Sequence, residues 1–248
     1  MANKPRFAAK PPEVEGNPVH NEVLLGLPPP ECDAVFSQLT FVQLRNKDVL
    51  QESEQPIKYA YFMDSGLASV LNVTPDGKSV EVGLFGKEGC SGLPIAIGLT
   101  SSSSQIVIQV SGAAFRITVP NLIKVLRDCS LLERRMQQYG QIMTMQAAQV
   151  ATCNRLHEVE ERLARWLLMS QDRLGGDIVP LTHEFLAHML GTRRSSVTVA
   201  AGLLHKAGLI TYNRGQVKIE DRDRLEDAAC ESYAMLSRYT ATWKKEAI

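Results

Sequence analysis

The chain has 248 residues, 27 of them basic and 27 acidic, so its formal net charge is zero. Hydrophobic residues make up 44% and charged residues 22%, ordinary globular values that exclude a disordered chain, a collagen-like repeat and a disulfide-dense mini-protein. No apolar run approaches the ~20 residues that span a bilayer, and the first residues lack the apolar core of a secretory signal. A soluble cytoplasmic protein with no membrane contact is therefore expected.

Residues 1–20, rich in Pro, Lys and Glu and without periodicity, are expected to form a flexible tail. The stretch LLGLPPPECDAVFSQL opens on prolines and reads as a helix with Val35, Phe36 and Leu39 on its buried face. Six short β-type runs follow: FVQL, YAYFM, LASVLNV, SVEVGLF, QIVIQV and AAFRITV. Turn signals separate them, the clearest being the hairpin at Pro75-Asp76-Gly77. This spacing predicts an antiparallel barrel or sandwich. From residue 121 to 173 there is one glycine and no proline. Leu132, Met136, Tyr139, Met143, Val150 and Cys153 recur there at near-heptad steps, which predicts a long helix packed on another helix, with a break near 155–157.

The last third is compact. IVPL reads as a short strand and THEFLAHML as a helix capped by Thr182. SSVTVAAGLLHKAG reads as a second helix ending at Gly208, and LITYNRGQVKIE as a hairpin turning at Asn213-Arg214-Gly215. A closing helix follows. Two helices joined by a short turn at Gly191 form the helix-turn-helix pattern. Leu186, Ala187, Leu190, Val197, Ala201 and Leu204 are placed to pack the pair. The second helix then presents Thr192, Arg193, Arg194, Ser195, Ser196 and Thr198 at its N-terminal end, where arginine can read guanine and amides can bind phosphate. Thr182, Lys206, Arg214 and Lys218 complete the expected DNA-contacting set. From Thr182 to Lys218 there are five basic residues and one acid, a local net charge of +4. The neutral total therefore hides a basic face. A plain solvated helix pair is the bland alternative, and the hairpin that follows weighs against it.

The segment LTHEFLAHMLGTRRSSVTVAAGLLHKAGLI with its hairpin resembles the winged helix-turn-helix of the Crp/Fnr family of bacterial transcription regulators. CNRLHEVEERLARWLLM is similar to that family's junction between long helix and DNA-binding domain. The resemblance covers about residues 22–245. It implies an α+β fold: an antiparallel β-roll of the double-stranded jelly-roll type over 21–125, a dimerisation helix over 126–157 and a winged helix-turn-helix over 158–248. It implies a homodimer paired along the long helix, a palindromic site on double-stranded DNA, and RNA polymerase as a further partner. A signal at the roll would shift the helix pairing and reorient the two reading helices. Arg194 matches the family's usual arginine. Ser195 stands where a base-reading glutamate is common and Val199 where another arginine is common, so the half-site differs.

The sensor also departs from the family. Members that bind cyclic AMP carry an arginine for the cyclic phosphate. The corresponding stretch here, GKEGCSGLPIAIGLTSSSSQIVIQV, has none, and a buried phosphate without a cation is costly. No cyclic nucleotide is expected. Glu88, Gly89, Ser102, Ser103 and Ser104 are the remaining ligand candidates. The five cysteines (Cys32, Cys90, Cys129, Cys153, Cys230) have no C-x-x-C spacing. Buried reduced thiols are expected, with no metal, no iron–sulfur cluster and no cofactor. His20 and His157 are the available haem ligands, each more simply a surface or interface residue. A module that binds a cyclic nucleotide or another small ligand and signals without DNA output is the alternative reading. No enzyme motif is present.

Overall fold

The computed structural model describes residues 12–213 and 215–245. In chain order the elements are β1 (Glu13–Val14), β2 (Asn17–Pro18), α1 (Glu22–Leu25), α2 (Pro29–Phe36), β3 (Thr40–Leu44), β4 (Val49–Gln51), β5 (Tyr59–Met63), β6 (Leu67–Val73), β7 (Ser79–Phe85), a 3-10 helix (Leu93–Ile97), β8 (Ser104–Val110) and β9 (Gly112–Thr118). Then come α3 (Val119–Asp128), α4 (Ser130–Leu156), α5 (Val159–Leu174), β10 (Ile178–Val179), α6 (His183–Met189), α7 (Arg194–Lys206), β11 (Ile210–Asn213), β12 (Gln216–Ile219), α8 (Arg222–Asp227) and α9 (Ser232–Lys245). Among the described residues no helix is long and apolar enough to cross a membrane.

The roll is two antiparallel sheets, ordered β3-β9-β5 and β4-β8-β6-β7. All six β-type runs of the sequence are strands. The hairpin at Pro75-Asp76-Gly77 joins β6 to β7, closed by Thr74 N–H donating to Lys78 O at 2.8 Å. The sequence reading missed β4, which has three residues and a register shift between Val49 and Gln51 that erases any alternation.

Part of the expected tail is ordered. Residues 1–11 lie outside the described residues, but β1 and β2 pair as a hairpin, and Val14 and Val19 are buried. Asn21 explains the anchoring. Its buried Oδ1 accepts from Val23 and Leu24 N–H at the start of α1, while Nδ2 donates to Met63 O (2.8 Å) and Gly89 O (2.9 Å). A polar residue satisfied on both sides gives no hydrophobic signal in sequence.

The long helix starts at Ser130, because Cys129 leaves helical geometry (φ −116°, ψ 77°) and separates it from α3. It ends at His157, which is extended (φ −112°, ψ 150°). A capping box between Glu158 and Glu161 then starts α5. The expected dimer seam needs correction. Leu132, Met136, Tyr139, Val150 and Cys153 are buried inside their own chain, and Met143 is half-buried against Gly83 of β7. Tyr139 packs on Trp243 of α9 with ring centroids 5.3 Å apart, and the Arg135 guanidinium lies 4.4 Å from the same ring. The periodicity marked a buried stripe correctly but could not say which surface buries it. The opposite face carries Ala148 and Ala151, both exposed and three positions apart.

The C-terminal unit is docked on the roll rather than tethered to it. Leu67, Leu71 and Leu84 of β6 and β7 share one apolar core with Leu163, Trp166 and Leu186. Within that core the Glu81 carboxylate accepts from Trp166 Nε1 at 2.7 Å and from the Ser69 hydroxyl. Burial pushes the Glu81 carboxyl up from 4.5 to about 7, against the lowering effect of both hydrogen bonds and of Arg165 and Arg173. The folded chain thus keeps a proton that the unfolded chain has released between those values. Its stabilising contribution is full below pH 4.5 and is lost as pH rises to about 7. Glu81→Gln is expected to flatten this fall, read as urea midpoints on both sides of the window. An unchanged pH slope in the variant would remove Glu81 as its source.

Candidate nucleic-acid interface

The reading helix is built from its own turn. Thr182 Oγ1 caps α6 by accepting Phe185 N–H at 3.2 Å. Thr192 N–H donates to Ala187 O (2.9 Å), closing the turn, and Gly191 takes φ +58°, a left-handed value that a side chain would strain. Leu186, Ala187, Leu190, Val197, Ala201 and Leu204 are all buried between the helices, as their spacing predicts.

This packing turns the start of α7 outward. Arg193, Arg194, Ser195 and Thr198 are exposed, and Thr192 and Ser196 half-exposed. Arg193 is the N-cap, and its side chain makes no capping hydrogen bond among the described residues. Two features therefore coincide: a helix N-terminus whose first amides have no intrahelical carbonyl, and guanidinium groups beside it. Thr198 Oγ1 donates to Arg194 O at 3.0 Å, which ties that hydroxyl back to the helix. Val199 is 64% exposed on the same face. An outward apolar side chain at this place on a helix that enters a major groove suits a thymine methyl.

The remaining basic candidates separate from this cluster. Lys206 sits at the opposite end of α7, about 18 Å along the axis at 1.5 Å per residue. Lys218 on β12 is paired with Glu220 at 2.6 Å, and Glu220 also accepts from Thr211 at 2.8 Å, so its charge is already compensated. Arg214 lies outside the described residues. The expected hairpin β11–β12 pairs with the expected short strand β10 in a three-stranded sheet, with β12 central. On its other side, α6 rests on the roll through His188 Nε2 and Ser79 Oγ, 2.7 Å apart.

A scan against family models matches residues 161–228 to the Crp-like helix-turn-helix domain. Residues 161–228 are a Crp-like helix-turn-helix domain. Among solved structures, the chain resembles FixK2 from Bradyrhizobium japonicum, with TM-score 0.67 and 17% identity over 77% of this chain and 98% of that one. It also resembles a regulator of the Crp/Fnr family from Eubacterium rectale, described as putative in its own right, with TM-score 0.64 and 15% identity over 84% and 98% of the two chains. A third likeness is CLP of Xanthomonas campestris, a c-di-GMP responsive global regulator, with TM-score 0.62 and 14% identity over 77% and 98%. By sequence, no curated protein matches the chain. The matched domain thus stands at the end of a chain whose fold is similar to the folds of these regulators.

In front of the Crp-like domain, the roll holds a cavity of about 500 Å³ between its second sheet, the 3-10 helix and α4. Val70, Val82, Phe85, Ile106, Met136 and Met143 line it, with Gln51, Ser102, Ser104 and Thr144 as polar groups. No arginine or lysine is among the described lining residues. Ser102 and Ser104 are where a ligand would need them, whereas Ser103 does not line the cavity. Two other ligand candidates lie outside this cavity. Glu88 is buried, held by Arg173 Nε at 2.8 Å and Gly86 N–H at 3.1 Å, and does not line this cavity. Gly89 is packed against the Tyr139 hydroxyl. Cys90 lines the cavity, and burial pushes its thiol up to about 12, which keeps it neutral. His20 is engaged by Asp64 at 3.0 Å.

Proposed function

We propose that the chain is a homodimeric, sequence-specific transcription regulator that reads a palindromic site on double-stranded DNA through α7. The observation that carries this reading is the outward N-terminus of α7 with Arg193, Arg194 and Ser195 beside it. Arg194 and Ser195 read bases, and Arg193, Thr192, Ser196 and Thr182 position the helix on the phosphates. The chain works by binding rather than catalysis, in the cytoplasm, with RNA polymerase as its downstream partner.

Pairing runs along the exposed face of α4. Ala148 and Ala151 are small enough for two helices to approach closely there. The cavity in the roll takes an effector that is not a cyclic nucleotide. Its lining favours an uncharged ligand, because no arginine or lysine among the described lining residues offsets the charge of a phosphate. The effector shifts the populations of two arrangements of the dimer.

Selection from a random DNA pool, with and without cell extract, tests this. A palindrome with half-sites about one helical turn apart is expected. Ala148→Glu should leave a 27.4 kDa monomer in sedimentation and lose the palindrome. No enriched sequence in either arm would overturn the reading.

A further inference from the structure

Three side chains that play no part in reading DNA meet at the joint between α4 and α5. Cys153 lies in the last turn of α4, His157 is the break itself, and Cys230 lies in the loop between α8 and α9. The two cysteines are 77 positions apart in sequence, yet their sulfurs are 3.4 Å apart. One ligand atom from each of the three residues falls within 4.8 Å of the others.

The histidine is oriented in a particular way. Its Nε2 lies 3.1 Å from Glu231 Oε2, and its Nδ1 is buried, with the Cys153 thiol beside the ring. A carboxylate that holds one ring N–H leaves the other nitrogen as a lone-pair donor, the usual outer-shell arrangement of a metal-binding histidine. Both sulfurs are buried, and the cluster opens to solvent past Glu231, whose side chain is 65% exposed. Cys153 Sγ donates to Ser232 Oγ at 3.0 Å, and Ser232 passes the bond on to Gln149 Oε1 at 3.0 Å.

Distances choose between a disulfide and a metal. A disulfide needs the sulfurs about 2.05 Å apart, a closure of well over an ångström from 3.4 Å. Two thiolates on a tetrahedral zinc ion, each about 2.3 Å from it, stand about 3.8 Å apart, a change of roughly 0.4 Å. A disulfide would also leave the buried Nδ1 of His157 unexplained. We propose that Cys153, Cys230 and His157 Nδ1 bind a thiophilic d10 cation, zinc(II), with a fourth position left for water. Both thiol protons leave to solvent as the ion enters. The bound ion ties the end of α4, the break before α5 and the α8–α9 loop together, so it fixes the Crp-like domain on the long helix. Metal binding itself does not depend on the DNA-reading proposal.

The test uses the full chain, reduced and stripped by a chelator, titrated with cobalt(II) and then displaced with zinc(II). One equivalent per chain is expected, with thiolate-to-cobalt charge-transfer absorption that zinc removes. Cys230→Ser should abolish the tight equivalent, and Cys32→Ser should leave it intact. Glu231→Gln, a surface change that leaves the fold in place, should weaken binding roughly 10–100-fold. Absence of charge-transfer absorption would overturn the proposal, as would binding unaffected by both Cys230→Ser and Glu231→Gln. So would a Cys153–Cys230 disulfide in the purified chain whose reduced form takes up no cobalt.

Discussion

Arg194→Ala lowers affinity for the selected operator by about 1–3 kcal/mol per half-site, hence about 2–6 kcal/mol for a dimer that uses both. Arg194 is the first residue of α7, exposed, at the N-terminal end of the helix. A guanidinium there reaches base edges and offers a paired donor fork. Non-specific affinity should fall much less, because it depends on the number of phosphate contacts rather than on one base contact. Lys206→Ala, at the far end of α7, and Lys218→Ala, already neutralised by Glu220, should each change operator binding little. The measurement is fluorescence anisotropy on operator and scrambled duplex at one salt concentration. If Arg194→Ala weakens both duplexes equally, the residue is a phosphate contact and the base-reading role fails.

Trp166→Ala destabilises the folded chain by ~3–5 kcal/mol, the cost of emptying a large core site. Trp166 is fully buried and stands edge-on to Phe185 with centroids 6.1 Å apart. It is also the donor to Glu81 across the seam between roll and Crp-like domain. Truncation removes packing on one side and leaves a buried carboxyl short of a donor on the other, a further ~1–3 kcal/mol unless it stays protonated. Trp166→Phe retains most of the packing and loses the hydrogen bond alone, so it should cost about 1–3 kcal/mol. Urea unfolding of the three proteins separates the two effects. A loss below about 1 kcal/mol for Trp166→Ala would show that the docked arrangement does not contribute to stability in solution.

Much of this architecture is legible in the chain. The turn signals separate six of the strands, Thr182 and Gly191 punctuate the helix-turn-helix, and the apolar positions of α6 and α7 are spaced for one another. Other features are not legible, each for a definite reason. β4 is too short to alternate. Asn21 anchors the N-terminal hairpin through polar bonds that hydropathy does not register. Glu88 looks like a loop acid in sequence, yet it is buried against Arg173, which lies far along the chain on α5.

The long helix marks the boundary between the two kinds of knowledge. Its period follows from the chain, because apolar residues at steps of three and four must share one face of any helix. What covers that face does not follow. Burial against a partner and burial against the chain's own roll and α9 produce the same spacing, and only long-range packing decides that Leu132, Met136 and Tyr139 face inward while Ala148 and Ala151 face out. The same holds for Cys153, His157 and Cys230. Local sequence places a reading helix and its charges, because caps, turns and helical faces are short-range. It cannot bring together residues 77 positions apart, because that proximity comes from the path of the whole chain.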